Sequence, residues 1–157
     1  MSLFRREILV EPQIIGVTNG SVAPAGQVGE TVQVLVPIGS AVSLSTGTAA
    51  NVMSLKLNPG SWNVEGNINY TATSASVTAG SLWAAGTNTV SATLPTDGSE
   101  VQELATALTT TTFKQGIGLP AKVYNISTPT TIYLVTSAAF TAGSVAAYGS
   151  MIAERIR

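Results

Sequence analysis

The sequence predicts an all-β fold: an antiparallel β-sandwich, jelly-roll-like, with an extended N-terminal arm and at most one short helix. From residue 30 onward, about seven or eight short segments alternate apolar and polar residues, and Gly, Pro, Asn and Ser separate them. The strand–helix alternation of a parallel sheet does not appear. Because 157 residues suit one domain, we expect an arm over residues 1–29 and a β-sandwich domain over residues 30–157.

The clearest predicted strand begins at Trp62, after the Pro–Gly turn of residues 58–61. One of its faces is apolar and the other carries Asn and Glu, which is typical of a strand between core and solvent. The apolar positions are Trp62, Val64, Ile68 and Tyr70, and the polar ones are Asn63, Glu65, Asn67, Asn69 and Thr71. Residues 32–38 also alternate. Residues 131–140 are apolar on both faces, which predicts a central strand covered on both sides.

Helix-like spacing occurs once, within residues 95–118. Its apolar positions follow the i, i+3, i+4, i+7 pattern and are Val101, Leu104, Ala105 and Leu108. Glu100 and Glu103 lie near the start, where acidic residues favour a helix. Either a short helix or a long ordered loop would satisfy this pattern.

The composition indicates a weakly charged surface that suits contacts between proteins. Charged residues make up 10% of the chain, against roughly 25% in an average soluble domain. Few charges must therefore be desolvated when two such surfaces meet. The net charge of −1 gives no basic footprint for nucleic acid. No apolar run is long enough for a membrane span or a secretory signal, so we expect neither nucleic-acid nor membrane partners.

The residue inventory excludes most catalytic chemistry. Without His and Cys, a Ser-His-Asp triad, a cysteine nucleophile and a thiolate or imidazole zinc site are all impossible. The closest acidic set is Asp97, Glu100 and Glu103, which we interpret as acids at a helix N-terminus. Glu65 has no second acid tied to it, as a glycosidase would require. We therefore expect no enzymatic activity, no cofactor and no metal.

Trp83 is the aromatic residue that we predict to be available for ligand stacking. It lies among Ala and Gly and lacks an alternating apolar partner, unlike Trp62 and Tyr70, which share an apolar strand face. Trp83 and the Asn-rich face of the strand after Trp62 are the features that would suit a carbohydrate-binding module.

The N-terminal arm differs in composition from the domain, and we predict that it binds a partner. Its apolar anchors are Phe4, Ile8, Leu9, Val10 and Ile14, and Arg5 and Arg6 beside them could pair with carboxylates. An isolated arm cannot bury these apolar groups, so it should order against a neighbour. Residues 7–11 read as a short strand that could add to a partner's sheet. Alternatively, the arm adds an edge strand to its own sandwich.

Two stretches resemble small virion proteins and tail-fibre tips of tailed bacteriophages. Residues 55–66 follow an L-x-L-x-x-G-x-W-x-V-x-G pattern, and residues 130–157 resemble a "YLV…F-x-x-G…YG" ending that closes on Arg-Ile-Arg. The glycine-rich residues 26–30 resemble the entry to such domains. Glu154 stands where the family often has Arg, which puts a basic C-terminal role in doubt. The resemblance implies trimers of antiparallel β-sandwiches located in the virion.

We therefore expect a non-enzymatic virion structural protein, a capsid decoration (cement) or head-fibre protein attached through its N-terminal arm. Its expected partners are other virion proteins of the capsid or tail, and its expected state is a homotrimer. The short arm and the lack of heptads favour this role over a tail fibre, whose tip normally hangs on a long shaft. A trimeric tail-fibre tip or receptor-binding domain is one alternative, and a carbohydrate-binding module is the second.

Overall fold

The computed structural model describes residues 21–72, 78–104 and 114–157. It describes the backbone of all these residues and the side chains of most of them. These residues form nine strands and one short 3₁₀ helix at Ile38–Ser40. The strands are β1 Thr31–Val36, β2 Val42–Ser43, β3 Ala50–Leu57, β4 Gly60–Ala72, β5 Thr78–Asn88, β6 Val101–Leu104, β7 Lys114–Ile126, β8 Thr130–Ala142 and β9 Val145–Arg155.

The strands form two antiparallel sheets. The first has the order β1-β9-β4-β7, with β2 also paired to β9, and the second has the order β3-β8-β5-β6. Each sheet takes strands from both halves of the chain, so the long connections cross between sheets in the manner of a jelly roll. The predicted all-β sandwich is confirmed.

The core lies between the sheets, where the predicted alternation of β4 sets one side. Trp62, Val64, Ile68 and Tyr70 are fully buried, as expected from their shared face. The hydroxyl of Tyr70 bonds to that of Thr136 on β8, and the Thr136 hydroxyl donates to the Ala84 carbonyl at 2.8 Å. The polar groups that cross the core are thereby satisfied, so their burial carries little cost.

The helical interpretation of residues 101–108 is wrong where the structure describes them. Residues 101–104 form β6, which pairs with β5 through Ala85–Val101 and Leu82–Leu104. Residues 101–104 form a strand rather than a helix because the edge of β5 provides hydrogen-bond partners for their backbone groups. Ala105 and Leu108 lie outside the described residues.

β8 is a central strand covered on both faces, as predicted. It lies between β3 and β5, and Val135, which points away from the core, is nevertheless fully buried. Its cover is the β5–β6 connection, residues 89–100, which we call the covering loop. An added Cβ on Gly86 would lie 2.5 Å from Cγ of Pro95, so this loop packs directly on the outer face of the second sheet.

Side chains hold the covering loop at both sides of the sheet. The Asn51 amide accepts from the Ala92 N–H and donates to the Ser91 hydroxyl, both at 2.7 Å. On the other side, Lys122 of β7 forms an ion pair with Asp97 at 2.7 Å. The two sheets therefore differ, because the covering loop lies on the outer face of the second, whereas Glu65, Asn67 and Glu154 are exposed on the outer face of the first.

Candidate interaction surfaces

The predicted arm anchors fall on a part of the chain that the structure does not describe. They are Phe4, Arg5, Arg6, Ile8, Leu9, Val10 and Ile14, all before residue 21. The arm boundary at residue 29 and partner binding by these residues therefore stay predictions. The structure does describe residues 21–30, which directly precede β1 and which we call the lead segment.

A buried ion pair fixes this lead segment to the end of the sandwich. Nε of Arg155 donates to Oε2 of Glu30 at 2.9 Å, and the same carboxylate oxygen accepts from the Gly26 N–H at 2.7 Å. The Arg155 guanidinium also lies over the Trp62 ring, 4.4 Å from its centroid, and donates to the Pro59 carbonyl. We call these contacts of Glu30 and Arg155 the clasp.

The backbone closes the clasp from both sides. The Gly29 N–H donates to the carbonyl of Arg155, and the Arg155 N–H donates to the carbonyl of Glu30, both at 2.8 Å. Glu30 and Arg155 are 8% and 5% exposed, so the pair is shielded from solvent. Residues 26–30 are thus bonded to the last strand, β9, by both backbone and side chain.

The electrostatics of the clasp favour the ionised carboxylate. Burial acts to raise the pKa of Glu30, but the Gly26 N–H and the Arg155 guanidinium lower it by more, so the net shift is downward. The carboxylate therefore stays charged and paired at neutral pH. The sequence could not show this pair, because its residues are 125 positions apart and share no pattern.

Trp83 is not the exposed stacking residue that its neighbours suggested. It is fully buried on the inner face of β5, where its ring meets that of Tyr70 edge-on with centroids 4.6 Å apart. Its indole N–H donates to the Ala139 carbonyl at 3.0 Å. The small residues around it make room for the indole within the core, and this corrects the ligand-stacking prediction.

The acidic set of residues 97–103 lies in the covering loop and β6 rather than at a helix N-terminus. The hydrogen bond from Lys122 holds the pKa of Asp97 well below its usual range, and bonds from Ser99 act in the same direction. Glu100 accepts from the side chain of Gln102. Across residues 21–72, 78–104 and 114–157, no group of three His, Cys, Asp or Glu side chains could hold a metal ion.

The outer face of the first sheet is partly open to solvent, because Glu65, Asn67 and Glu154 are exposed there. This face is largely polar and carries the acidic side chains of Glu65 and Glu154. At the β1 side, Leu35 is 69% exposed and stands beside a hollow of about 520 Å³. The hollow is lined by Gln33, Val34, Leu35, Ser150, Met151 and Ile152.

Comparisons with known proteins add similarity in structure alone. No protein-family model and no curated protein matches the chain. Among solved structures, the VP2 subviral particle of infectious bursal disease virus shares 16% identity and a TM-score of 0.48, over 90% of this chain and 37% of that chain. The T13 particle of the same virus shares 17% identity and a TM-score of 0.47, over 90% and 35%.

The chain thus spans little more than a third of the length of those virus proteins. Similarity at this level transfers no function to it. Within the described residues, no helix is long and apolar enough to cross a membrane.

Proposed function

We propose that this chain is a non-enzymatic structural protein of a tailed-phage virion. In this role it is a capsid decoration (cement) or head-fibre protein, attached to other virion proteins through its N-terminal arm. The observation that carries the proposal is the clasp, which holds residues 26–30, at the end of the proposed arm, on the last strand of the jelly-roll-like sandwich. Jelly rolls are common building blocks of virus particles, and the resemblance of residues 55–66 and 130–157 to phage virion proteins agrees with this role.

The clasp would suit a segment that fixes the domain to a larger particle. A flexible connection would let the domain swing freely, whereas residues 26–30 are bonded to the last strand by backbone and side chain. Binding energy gained by the arm would therefore position the whole sandwich. The weakly charged surface of the domain would then meet its neighbours with little desolvation cost.

The homotrimer remains part of the proposal, although one of the arguments for an oligomer no longer applies. The apolar outer face of β8 motivated an oligomer, but the covering loop already buries Val135 within one chain. The trimer therefore rests on the resemblance to phage virion proteins and on the low surface charge. For the carbohydrate-binding module, the burial of Trp83 removes one of its two supporting features.

Fractionation of purified phage particles tests the proposed location. Particles from the phage that encodes this chain would be separated into heads and tails, and each fraction assayed for the protein by mass spectrometry. We expect the chain in the head fraction at a constant ratio to the major capsid protein. Recovery with the tails would support the tail-fibre tip instead, and absence from both fractions would overturn a virion role.

A further inference from the structure

Strand β1 lies at the edge of the first sheet, and part of its backbone groups have no strand partner among the described residues. Within the described residues it pairs with β9 alone. The Arg155 N–H donates to the Glu30 carbonyl at 2.8 Å, and antiparallel strands bond through alternate residues. From Val32 onward, every second residue of β1 therefore faces β9. The residues whose N–H and C=O groups point away from the sheet are Thr31, Gln33 and Leu35.

β1 lacks the features that protect the other sheet edges. β7 carries Pro120 beside a register shift, and β3 carries Lys56 and a register shift after Asn51. β6 is four residues long. The six residues of β1, Thr-Val-Gln-Val-Leu-Val, contain no proline and no charge, and their pairing with β9 is continuous. Proteins normally blunt such edges because they are templates for another strand.

The side chains on this edge also suit a partner strand. Gln33 and Leu35 are exposed on the outer face, and Leu35 keeps 69% of its surface in solvent. Leu35 stands next to Ser150 and Ile152 in the hollow described above. An added strand would therefore cover an apolar side chain as well as satisfy backbone groups.

We propose that β1 pairs with β1 of a second copy of this chain, antiparallel about a two-fold axis. The first sheets of the two copies then form one continuous sheet. This contact goes beyond the proposed attachment and does not depend on it, since it uses neither the arm nor the three-fold axis of a trimer. In a virion it would join neighbouring copies or neighbouring trimers.

Charge favours a second β1 over the N-terminal arm as the added strand. Two copies of β1 bring no like charges together, because the strand is uncharged. The predicted strand of residues 7–11 begins and ends with glutamate and follows Arg5 and Arg6. These charges would meet no charged side chain on β1. A two-fold contact is also self-complementary, since each copy supplies the same donors and acceptors.

The register of the two β1 strands is set by the three residues whose backbone groups point away from the sheet. With Gln33 opposite Gln33 of the second copy, Leu35 lies opposite Thr31, and all three free residues of each strand find a partner. A shift by two residues in one direction would place Thr31 opposite Pro37, which has no N–H to donate. The same shift the other way would leave Leu35 beyond the start of the opposite strand.

Disulfide trapping tests this register cleanly, because the chain contains no cysteine. In the proposed pair, the two Gln33 Cα atoms lie about 5.5 Å apart, within the span of a disulfide. The two Leu35 Cα atoms are offset by four residues along the strands, or at least ~13 Å. Leu35→Cys is therefore a matched control on the same strand and face.

The full-length Gln33→Cys and Leu35→Cys variants would be oxidised mildly and run on a non-reducing gel. Circular dichroism would first check that both keep the wild-type β spectrum. We expect a covalent dimer for Gln33→Cys and a monomer for Leu35→Cys. Equal trapping of both variants would indicate random collision, stronger trapping of Leu35→Cys another register, and no trapping the absence of the contact, and each would overturn the proposal.

Discussion

Arg155 contacts parts of the chain that are far apart in sequence, and a small neighbouring residue leaves space for its guanidinium. It reaches Glu30 at the start of the domain, the Trp62 ring on β4 and the carbonyl of Pro59. Gly60 makes this possible, because a Cβ there would lie 1.9 Å from Nη1 of Arg155. The turn of residues 58–61, predicted from its composition, therefore also provides space for the guanidinium.

The clasp predicts a stability change that depends on pH. Glu30→Gln leaves the Arg155 guanidinium buried without its counter-charge, so we expect a loss of roughly 3 kcal/mol in the free energy of unfolding near neutral pH. The folded-state pKa of Glu30 lies below its usual value of 4.5. Its contribution is therefore present above that pH and disappears as the wild-type carboxylate is protonated on acidification.

Urea unfolding of wild type and Glu30→Gln across the acid range would check this expectation. The two stabilities should converge as the pH falls below 4.5. Glu154→Gln, on the neighbouring exposed residue, is the control, and its effect should stay within about 0.5 kcal/mol. Parallel curves for wild type and Glu30→Gln down to acid pH would contradict the role of the ion pair.

Among the elements, the covering loop distinguishes the two sheets. It crosses the outer face of the second sheet, bonded to Asn51 at one side and to Lys122 at the other. Pro95 packs against Gly86 of β5, and Val135 of β8 is buried beneath the loop. The outer face of the first sheet carries exposed side chains on β4 and β9, and β1 lies at its edge.

Gly86→Ala tests the packing of this loop. The added methyl would lie 2.5 Å from Cγ and 2.7 Å from Cδ of Pro95, so the loop must shift and expose Val135. We expect a loss of about 1–3 kcal/mol, as for overpacked cores. Gly118→Ala on β7 is the matched control, because its Cβ would meet no atom within 4 Å. Equal thermal stability of the two variants would show that the loop does not press on the sheet.

The elements that the sequence predicted are those whose burial is periodic. β4 separates core from solvent at every second residue, and the doubly apolar β8 lies in the centre of its sheet. β6 was missed because four residues carry too little periodicity to distinguish a strand from a helical turn. Trp83 was misplaced because its burial depends on space left by residues distant in sequence, such as Ala138 opposite it.

For the whole molecule, the clasp determines which end of the sandwich the proposed arm would hold. The start of β1, the start of β4 and the ends of β7 and β9 meet at one end of the sandwich. The lead segment joins this same end, so an arm bound to a shell would hold the domain by that end. The division into arm and domain stays a prediction, and the long-range Glu30–Arg155 pair at the start of the predicted domain arises only from the fold.

The central claim is attachment to other virion proteins through the N-terminal arm, and deletion of residues 2–15 tests it most directly. Wild-type and truncated proteins would be mixed with virions that lack the protein, and bound protein measured by co-sedimentation. Thermal unfolding of the truncated protein would confirm an intact domain, and Glu154→Gln would serve as a control that still binds. We predict that the truncated protein stays folded and no longer sediments with the particles. A truncated protein that folds and binds as well as wild type would contradict the account.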